Sequence, residues 1–308
     1  MESLPENLEN LLQQVLDEQE AAINSTNTSA STNDVNSTVD TSEEPQNVTT
    51  SSPTNTEDVE TQEKIPEISK THFMSDAVSR FQGASWYGTV ENLHVTVVGC
   101  GGIGSWTALL IKRLNVKTIT LFDNDTVEVN NLSGQLFKRG NAEEAKVGAL
   151  RSICNEFSTN ATVISAVCDR FTNQNLTKIT ICGLDNMESR MVVYNRWAEL
   201  YSNDPEALFI DGRLSAEAFQ IFVTQGGNRA SQEEYRKKWL FPDSEGDQTV
   251  CSYKQTSFMA SMIASFIVNI LVNFADNSNS TGKSLLERTV PFYTEYSGDY
   301  MFLKTEIL

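Results

Sequence analysis

The chain has 308 residues, of which 39% are apolar, and its net charge at pH 7 is −18. Residues 1–70 hold 15 Asp and Glu against two Lys, whereas the remaining residues hold 26 acidic and 21 basic side chains. Because an acidic surface repels phosphate backbones, this composition argues against nucleic acid as a partner.

The cysteines and the N-terminus indicate a cytoplasmic protein. The five cysteines are spread singly, without a CxxC pair, so we expect reduced thiols and no zinc site. The first residues, MESLPENLEN, are acidic where a signal peptide would be basic and then apolar. If the chain is encoded by a phage, a virion-associated location is the alternative.

The first predicted element is an amphipathic helix within residues 1–20. Apolar residues recur there at helical spacing: Leu4, Leu8, Leu11, Leu12, Val15 and Leu16. Two interpretations stay open, a peptide in residues 3–16 that docks in a groove of an unknown partner protein, or a helix that folds back on its own domain.

Residues 21–68 are predicted to form a disordered acidic linker. They contain few aromatic or branched apolar side chains, so they cannot bury enough surface to offset their ordering entropy. The remaining residues, 69–308, are expected to form one globular domain.

Strand and helix patterns alternate along this domain. Strands are predicted at 90–99, 116–125, 162–169, 176–185, 206–214 and 218–226, and helices at 105–115, 141–157 and 187–201. This order predicts a Rossmann-like, doubly wound α/β fold, with a mostly parallel sheet and helices on both faces.

Two further segments follow the last of these strands. The polar stretch 226–250 is predicted to be a mobile crossover near the substrate. The apolar stretch 258–274 is short for a bilayer and is interrupted by serine and asparagine, so we expect a buried core helix and no membrane partner.

A glycine-rich turn lies between the first predicted strand and helix. It contains Gly99, Gly101, Gly102 and Gly104, and such a turn offers a phosphate both amide N–H groups and the positive end of a helix. Asp123 ends the second strand, where an acidic side chain binds a ribose hydroxyl. Dehydrogenases, methyltransferases and nucleotidyl transferases share this pattern, and a tight turn without a ligand is the structural alternative.

Two later segments resemble one family. The stretch FDNDTVEVNNLSGQLFKRGNAEEAKVGAL, residues 122–150, resembles the signature of the ThiF, MoeB and ubiquitin-activating superfamily, and ICGLDNMESR, residues 181–190, resembles its fourth-strand element. The resemblance covers residues 76–275 and is closest to short ThiF-like proteins of bacteria and phages.

This resemblance implies ATP- and Mg²⁺-dependent adenylylation of a carboxylate, often the C-terminal glycine of a small ubiquitin-like protein or peptide. It implies that Lys146 contacts the phosphates and that Asp185 holds Mg²⁺. It also places Asp123, Asp125, Asn131 and Gln135 around the nucleotide. The structural alternatives are an exposed helix lysine for Lys146 and a helix N-cap for Asp185.

Three further residues are candidates. The resemblance implies that Arg80 reaches into a partner subunit's ATP site, which requires a homodimer. Cys251 is a candidate for a covalent bond, with a structural role as the alternative. Arg213 is a candidate for binding the substrate carboxylate, with an internal pair to Asp211 or Glu217 as the alternative.

Gly134 departs from the family signature, which has an arginine that contacts the phosphates at this position. Losing such a donor costs roughly 3 to 4 kcal/mol in transition-state stabilisation. Lys138 and Arg139 lie just downstream, as replacement cations or ordinary surface charges. The first alternative function is therefore a catalytically weakened nucleotide- or partner-binding module. The second is an NAD-dependent oxidoreductase, for which His72 and His94 offer no evident general acid.

Overall fold

The computed structural model describes residues 78–157, 162–245, 255–278 and 287–308. The predicted N-terminal helix and linker, as well as Cys251, lie outside these ranges. The predicted division into residues 1–20, 21–68 and 69–308 therefore remains a prediction.

The first half of the domain is a parallel sheet with crossover helices. A helical turn, α1 (Tyr87–Val90), precedes it. Its strands and helices are β1 (His94–Val98), α2 (Gly102–Arg113), β2 (Thr118–Phe122), α3 (Lys146–Glu156), β3 (Val163–Val167), β4 (Ile179–Cys182) and α4 (Met187–Tyr201). The central strands β1 and β4 are rich in buried β-branched residues, as expected when both faces of a parallel sheet are covered.

The second half extends the same sheet with four more strands. These are β5 (Leu208–Ser215), β6 (Ala218–Gln225), β7 (Tyr293–Ser297) and β8 (Phe302–Glu306). The sheet order is β3-β2-β1-β4-β5-β6-β7-β8, with β5 parallel to β4 and each later pair antiparallel. The predicted Rossmann-like, mostly parallel α/β fold with helices is confirmed.

The apolar stretch forms α6 (Ser257–Asn277), which packs on α2 and on strands β5 and β6. The side chain of Thr256 caps it, accepting from the Met259 amide at 3.4 Å. Among the described residues, α6 alone is long and apolar enough to span a membrane by length and composition, and half of its most apolar window is buried inside the protein. Its apolar face includes Ile263 and Ile267, both fully buried in the main core, which is the packing of a core helix.

The crossover predicted at 226–250 contains helical segments in its described part, residues 226–245. It contains α5 (Arg229–Glu234) and a π-helical turn, Tyr235–Trp239, followed by a short 3₁₀ turn at Asp243–Glu245. The side chain of Asn228 caps α5 by accepting from the Ser231 amide at 3.1 Å. The sequence of α5, RASQEE, is polar throughout and has no apolar periodicity, so its helical state is fixed by this cap and by the contacts that follow it.

Candidate nucleotide-binding site

Packing requires glycine at two positions of the turn. Gly99 has a φ of +88°, which favours glycine, and a Cβ there would lie 2.9 Å from the carbonyl carbon of Gly183. A Cβ on Gly104 would lie 1.8 Å from the Gly99 oxygen. Gly101 differs, because a Cβ there would meet only the Gln135 Nε2 atom at 3.9 Å. The backbone at Gly101 is therefore open on the side where a ligand would approach.

Asp123 ties the end of β2 to the glycine turn. Its Oδ2 accepts from the Cys100 amide at 2.7 Å, and its Oδ1 accepts from the Asp125 amide at 2.8 Å. Burial raises the pKa of Asp123, while these two hydrogen bonds and then the charge of Lys146 oppose the rise. The carboxylate thus lies against the turn, at the end of the strand next to β1.

Lys146 also lies beside the glycine turn, because α3 begins at residue 146 and not at residue 141 as predicted. Residues 142–144 form a turn and a bend, and Ala145 forms an isolated β-bridge with Thr126, so the helix begins only at Lys146. The Lys146 amide donates to the Asp125 carbonyl at 2.9 Å, and its Nζ lies 2.9 Å from Asp125 Oδ2. The Lys146 side chain is only 9% exposed, so it is not a surface helix lysine.

The charge of Lys146 acts on the turn itself. Burial raises the pKa of the Cys100 thiol well above its ordinary value, Asp123 adds to the rise, and Lys146 opposes it. The same cation opposes the rise in the pKa of Asp123. The structure therefore brings Lys146, Asp123 and Asp125 together beside the glycine turn.

Asp185 lies at the same edge of the sheet, after β4. The Gly183 amide donates to the Val98 carbonyl at 2.9 Å, which holds the start of this loop against β1. Asp185 is exposed, and the Nδ2 of Asn186 donates to its Oδ1 at 3.2 Å. The N-cap of α4 is Asn186, whose side chain accepts from the Ser189 amide at 2.8 Å. The Asp185 carboxylate is thus not used as the helix cap.

Asn131 and Gln135 belong to the loop that faces α2. Asn131 is used locally, since its Oδ1 accepts from the Glu128 amide at 3.0 Å. Gln135 is 8% exposed, and its Oε1 has no hydrogen-bond partner among the described residues. A buried acceptor without a partner costs about 1 to 3 kcal/mol, so this amide fits a ligand that donates to it.

Gln255 is a site residue that the sequence did not reveal. It forms an isolated β-bridge with Ala216, and its side chain fills the space beside two glycines. A Cβ on Gly102 would lie 2.1 Å from Gln255 Oε1, and one on Gly134 would lie 2.8 Å from Gln255 Cγ. The space beside Gly134, where the family has its arginine, thus holds a neutral amide side chain from a distant segment.

The remaining candidate cations have other partners or positions. Arg213 Nε donates to Asp211 Oδ2 at 2.8 Å, so the internal pair is formed. Lys138 pairs with Glu156, at the far end of α3. Arg80 is exposed near the start of the described residues.

The fold and the glycine turn are those of a Rossmann-like α/β protein. The chain belongs to the ThiF family, whose model matches residues 75–304.

Curated relatives include ubiquitin-like modifier-activating enzyme 5. The chain is 29% identical over 160 residues to this enzyme from Bombyx mori, a match that covers 45% of the chain and 41% of the enzyme. It is 31% identical over 153 residues to the enzyme from Branchiostoma floridae, covering 42% and 38%. The chain thus matches about two fifths of these relatives' length.

Similar solved structures include E. coli MccB with ATP, which has a TM-score of 0.55 and 14% identity and covers 72% of this chain and 66% of that one. The microcin C7 biosynthetic enzyme MccB in complex with N-formylated MccA has a TM-score of 0.56 and 14% identity and covers 72% and 67%. At this identity the likeness establishes the fold.

Proposed function

We propose that the protein is an ATP-dependent adenylyltransferase that activates a carboxylate, the C-terminus of a small ubiquitin-like protein or of a peptide ending in glycine. The observation that carries this proposal is the position of Lys146, a buried cation beside the glycine turn and Asp123. Membership of the ThiF family supports adenylyl transfer in general. The named relatives support a protein or peptide substrate.

Two features of the site fit ATP. The open backbone at Gly101 gives phosphate oxygens access to the first amides of α2 and to the positive end of that helix. The unpaired Oε1 of Gln135 lies in the same wall and suits a donor of the nucleotide. In this arrangement Lys146 binds the phosphates and Asp123 orients the ribose.

In adenylyl transfer the substrate carboxylate attacks the α-phosphate and pyrophosphate leaves. The protein holds the two reactants in line and balances the negative charge that develops. Asp185 is the residue we assign to Mg²⁺, which neutralises phosphate charge when bound. The described residues contain no cluster of three or more His, Cys, Asp or Glu side chains suited to a metal. Magnesium is usually held by one or two carboxylates together with substrate phosphates, so a single carboxylate at the site fits this cation.

A second candidate function is a binding module that holds nucleotide but transfers it slowly. The observation that favours it is Gly134, beside which Gln255 supplies an amide instead of a guanidinium. The oxidoreductase alternative has no comparable support. His94 begins β1, at the edge of the sheet opposite the turn, and its ring Nδ1 hydrogen-bonds Thr118 Oγ1 at 2.7 Å.

The test is ATP–pyrophosphate exchange with peptides ending in glycine. We expect exchange in the wild type, and a loss of about tenfold or more in Lys146→Ala and in Asp185→Ala. Lys117→Ala and Glu206→Ala, which change exposed residues that precede β2 and β5 at the opposite edge of the sheet, are matched controls and should exchange normally. ATP binding without exchange would favour the binding module, and exchange unaffected by Lys146→Ala and Asp185→Ala would refute the site.

The proposal includes a cytoplasmic homodimer in which Arg80 reaches the partner's site. Light scattering after size-exclusion chromatography would test the dimer. Mixing Arg80→Ala with Lys146→Ala protomers would test action in trans, because one intact site per mixed dimer should then restore part of the exchange. No recovery in a confirmed mixed dimer would contradict the role of Arg80.

A further inference from the structure

Asp211 on β5 is the centre of a buried polar network. Its side chain is fully buried and contacts two arginines and a tyrosine. Arg190 pairs with Oδ1, while Arg213 Nε donates to Oδ2 at 2.8 Å and the Tyr235 hydroxyl donates to Oδ2 at 2.9 Å. Removing one partner of a buried ion pair strongly destabilises a protein. The network therefore holds in place the segments that Arg190, Arg213 and Tyr235 belong to or bond.

One arm of the network holds the loop that carries Asp185. Arg190 lies on α4, and its Nη1 donates to the Gly212 carbonyl at 2.9 Å. Its Nη2 donates to the carbonyl of Leu184, the residue directly before Asp185. Arg190 thus fastens this loop to β5.

The other arm holds the crossover. We call residues 235–243, which run from the π-helical turn to Asp243, the strap. Arg213 Nη2 donates to the Trp239 carbonyl at 2.7 Å, and the Tyr235 hydroxyl reaches Asp211 directly. Asp211 therefore links the strap to the Asp185 loop through two arginines.

Asp243 closes a second connection between the strap and the loop. Its Oδ1 accepts from the Met187 amide at 2.7 Å, and its Oδ2 accepts from the Glu188 amide at 3.3 Å. These are the first amides of α4, two and three residues after Asp185. A carboxylate at this end of a 15-residue helix also interacts favourably with the helix dipole. The strap therefore holds the Asp185 loop from both sides.

We propose that Asp211 and Asp243 are positioning residues that fasten the strap to the Asp185 loop, so that the position of the strap sets how well this loop binds a magnesium nucleotide. Only the part of this inference that concerns the magnesium nucleotide rests on the proposed function. The mechanical link between strap and loop stands on the contacts alone. An irregular π-helical turn within the strap is in keeping with a functional segment, since such turns occur often at functional sites.

The mechanical link is tested by hydrogen exchange of residues 184–188, followed by mass spectrometry without nucleotide. Asp243→Ala should speed exchange about tenfold, as expected for the loss of a helix cap. Asp243→Asn keeps a capping oxygen and should stay within about threefold of wild type. Lys237→Ala is the matched control, because Lys237 lies on the strap and pairs with Glu233 at the surface.

The Asp211 arm needs a variant that folds. Asp211→Asn leaves the buried Arg190 and the part-buried Arg213 without their counter-charge and endangers folding. Tyr235→Phe is the better probe, since it removes one donor to Asp211 and keeps the ring. It should speed hydrogen exchange in residues 184–188, to which the Tyr235 hydroxyl is linked through Asp211 and Arg190. Unchanged exchange in both Tyr235→Phe and Asp243→Ala would overturn the proposal.

The functional half is tested by ATP binding with Mg²⁺ and with EDTA. Asp243→Ala should weaken binding about fivefold to tenfold with Mg²⁺ and leave binding in EDTA unchanged, whereas Asp243→Asn should resemble wild type. A general loss of stability would weaken binding in both conditions, and that result would overturn the positioning role. If the wild type binds no ATP in either condition, the proposed function fails. The hydrogen-exchange experiment alone then decides whether the strap is linked to the Asp185 loop.

Discussion

Alanine at Gly104 and alanine at Gly101 should separate the packing role of the glycine turn from its binding role. A Cβ on Gly104 would lie 1.8 Å from the Gly99 oxygen, and a backbone oxygen cannot rotate away. We expect Gly104→Ala to destabilise the fold by about 3 kcal/mol, at the upper end of the usual cost of overpacking. For a domain of this size the melting temperature should fall by roughly 6 to 12 °C.

Gly101→Ala should fold normally and bind ATP poorly. A Cβ there has space, because its nearest atom would be Gln135 Nε2 at 3.9 Å, and the backbone departs from the ordinary extended region only in its ψ of −146°. Its free energy of unfolding should stay within about 1 kcal/mol of wild type. The Cβ would stand where a phosphate approaches the backbone, so affinity for ATP should fall about tenfold or more.

Thermal unfolding and calorimetric ATP titration measure both effects. A Gly104→Ala protein as stable as wild type would show that the turn does not pack as described. A Gly101→Ala protein that binds ATP as well as wild type would refute the assignment of the turn to the phosphates.

Three further outcomes follow from the buried groups. Gln135→Met removes an unpaired buried acceptor, so calorimetry should find the fold more stable by about 1 kcal/mol and ATP bound more weakly. Gly134→Arg should lower the melting temperature without raising pyrophosphate exchange, because its Cβ would lie 2.8 Å from Gln255 Cγ, and adding Gln255→Ala should recover stability. Burial raises the pKa of Cys182 from 9.0 to about 12, so above pH 9 the unfolded chain loses a proton that the folded chain keeps. Urea denaturation should therefore find stability falling from pH 9 towards 12, and falling less in Cys182→Ala.

The sequence predicted the elements whose patterns are local. The helix predicted at 187–201 has those bounds in the structure, since Asn186 caps it and one face of it, with Val193, Tyr194 and Trp197, is buried. The strands β7 and β8 were missed because their sequences, YTEYS and FLKTE, mix polar and apolar residues without a clear core face. All five residues of β8 are exposed, so no burial pattern was present in its sequence.

The site residues, too, were predictable only where their positions follow from the sequence pattern. The glycine turn, Asp123 and Asp185 follow strand ends that are neighbours in a parallel sheet, so their common edge was predictable. The role of Gln255 was not, because its contacts with Gly102 and Gly134 come from a segment far along the chain. For Arg213 the sequence left two interpretations open, and a buried partner decided between them.

Trp106 gives the protein its own optical reporter. It lies in the second turn of α2, and its indole Nε1 donates at 3.3 Å to the carbonyl of Gly134, the residue directly before Gln135. Indole fluorescence is sensitive to such a hydrogen bond and to local polarity, so its emission should change when the wall of the pocket moves. A variant that keeps Trp106 and replaces the other tryptophans with phenylalanine would report occupancy in a stopped-flow instrument without any added dye.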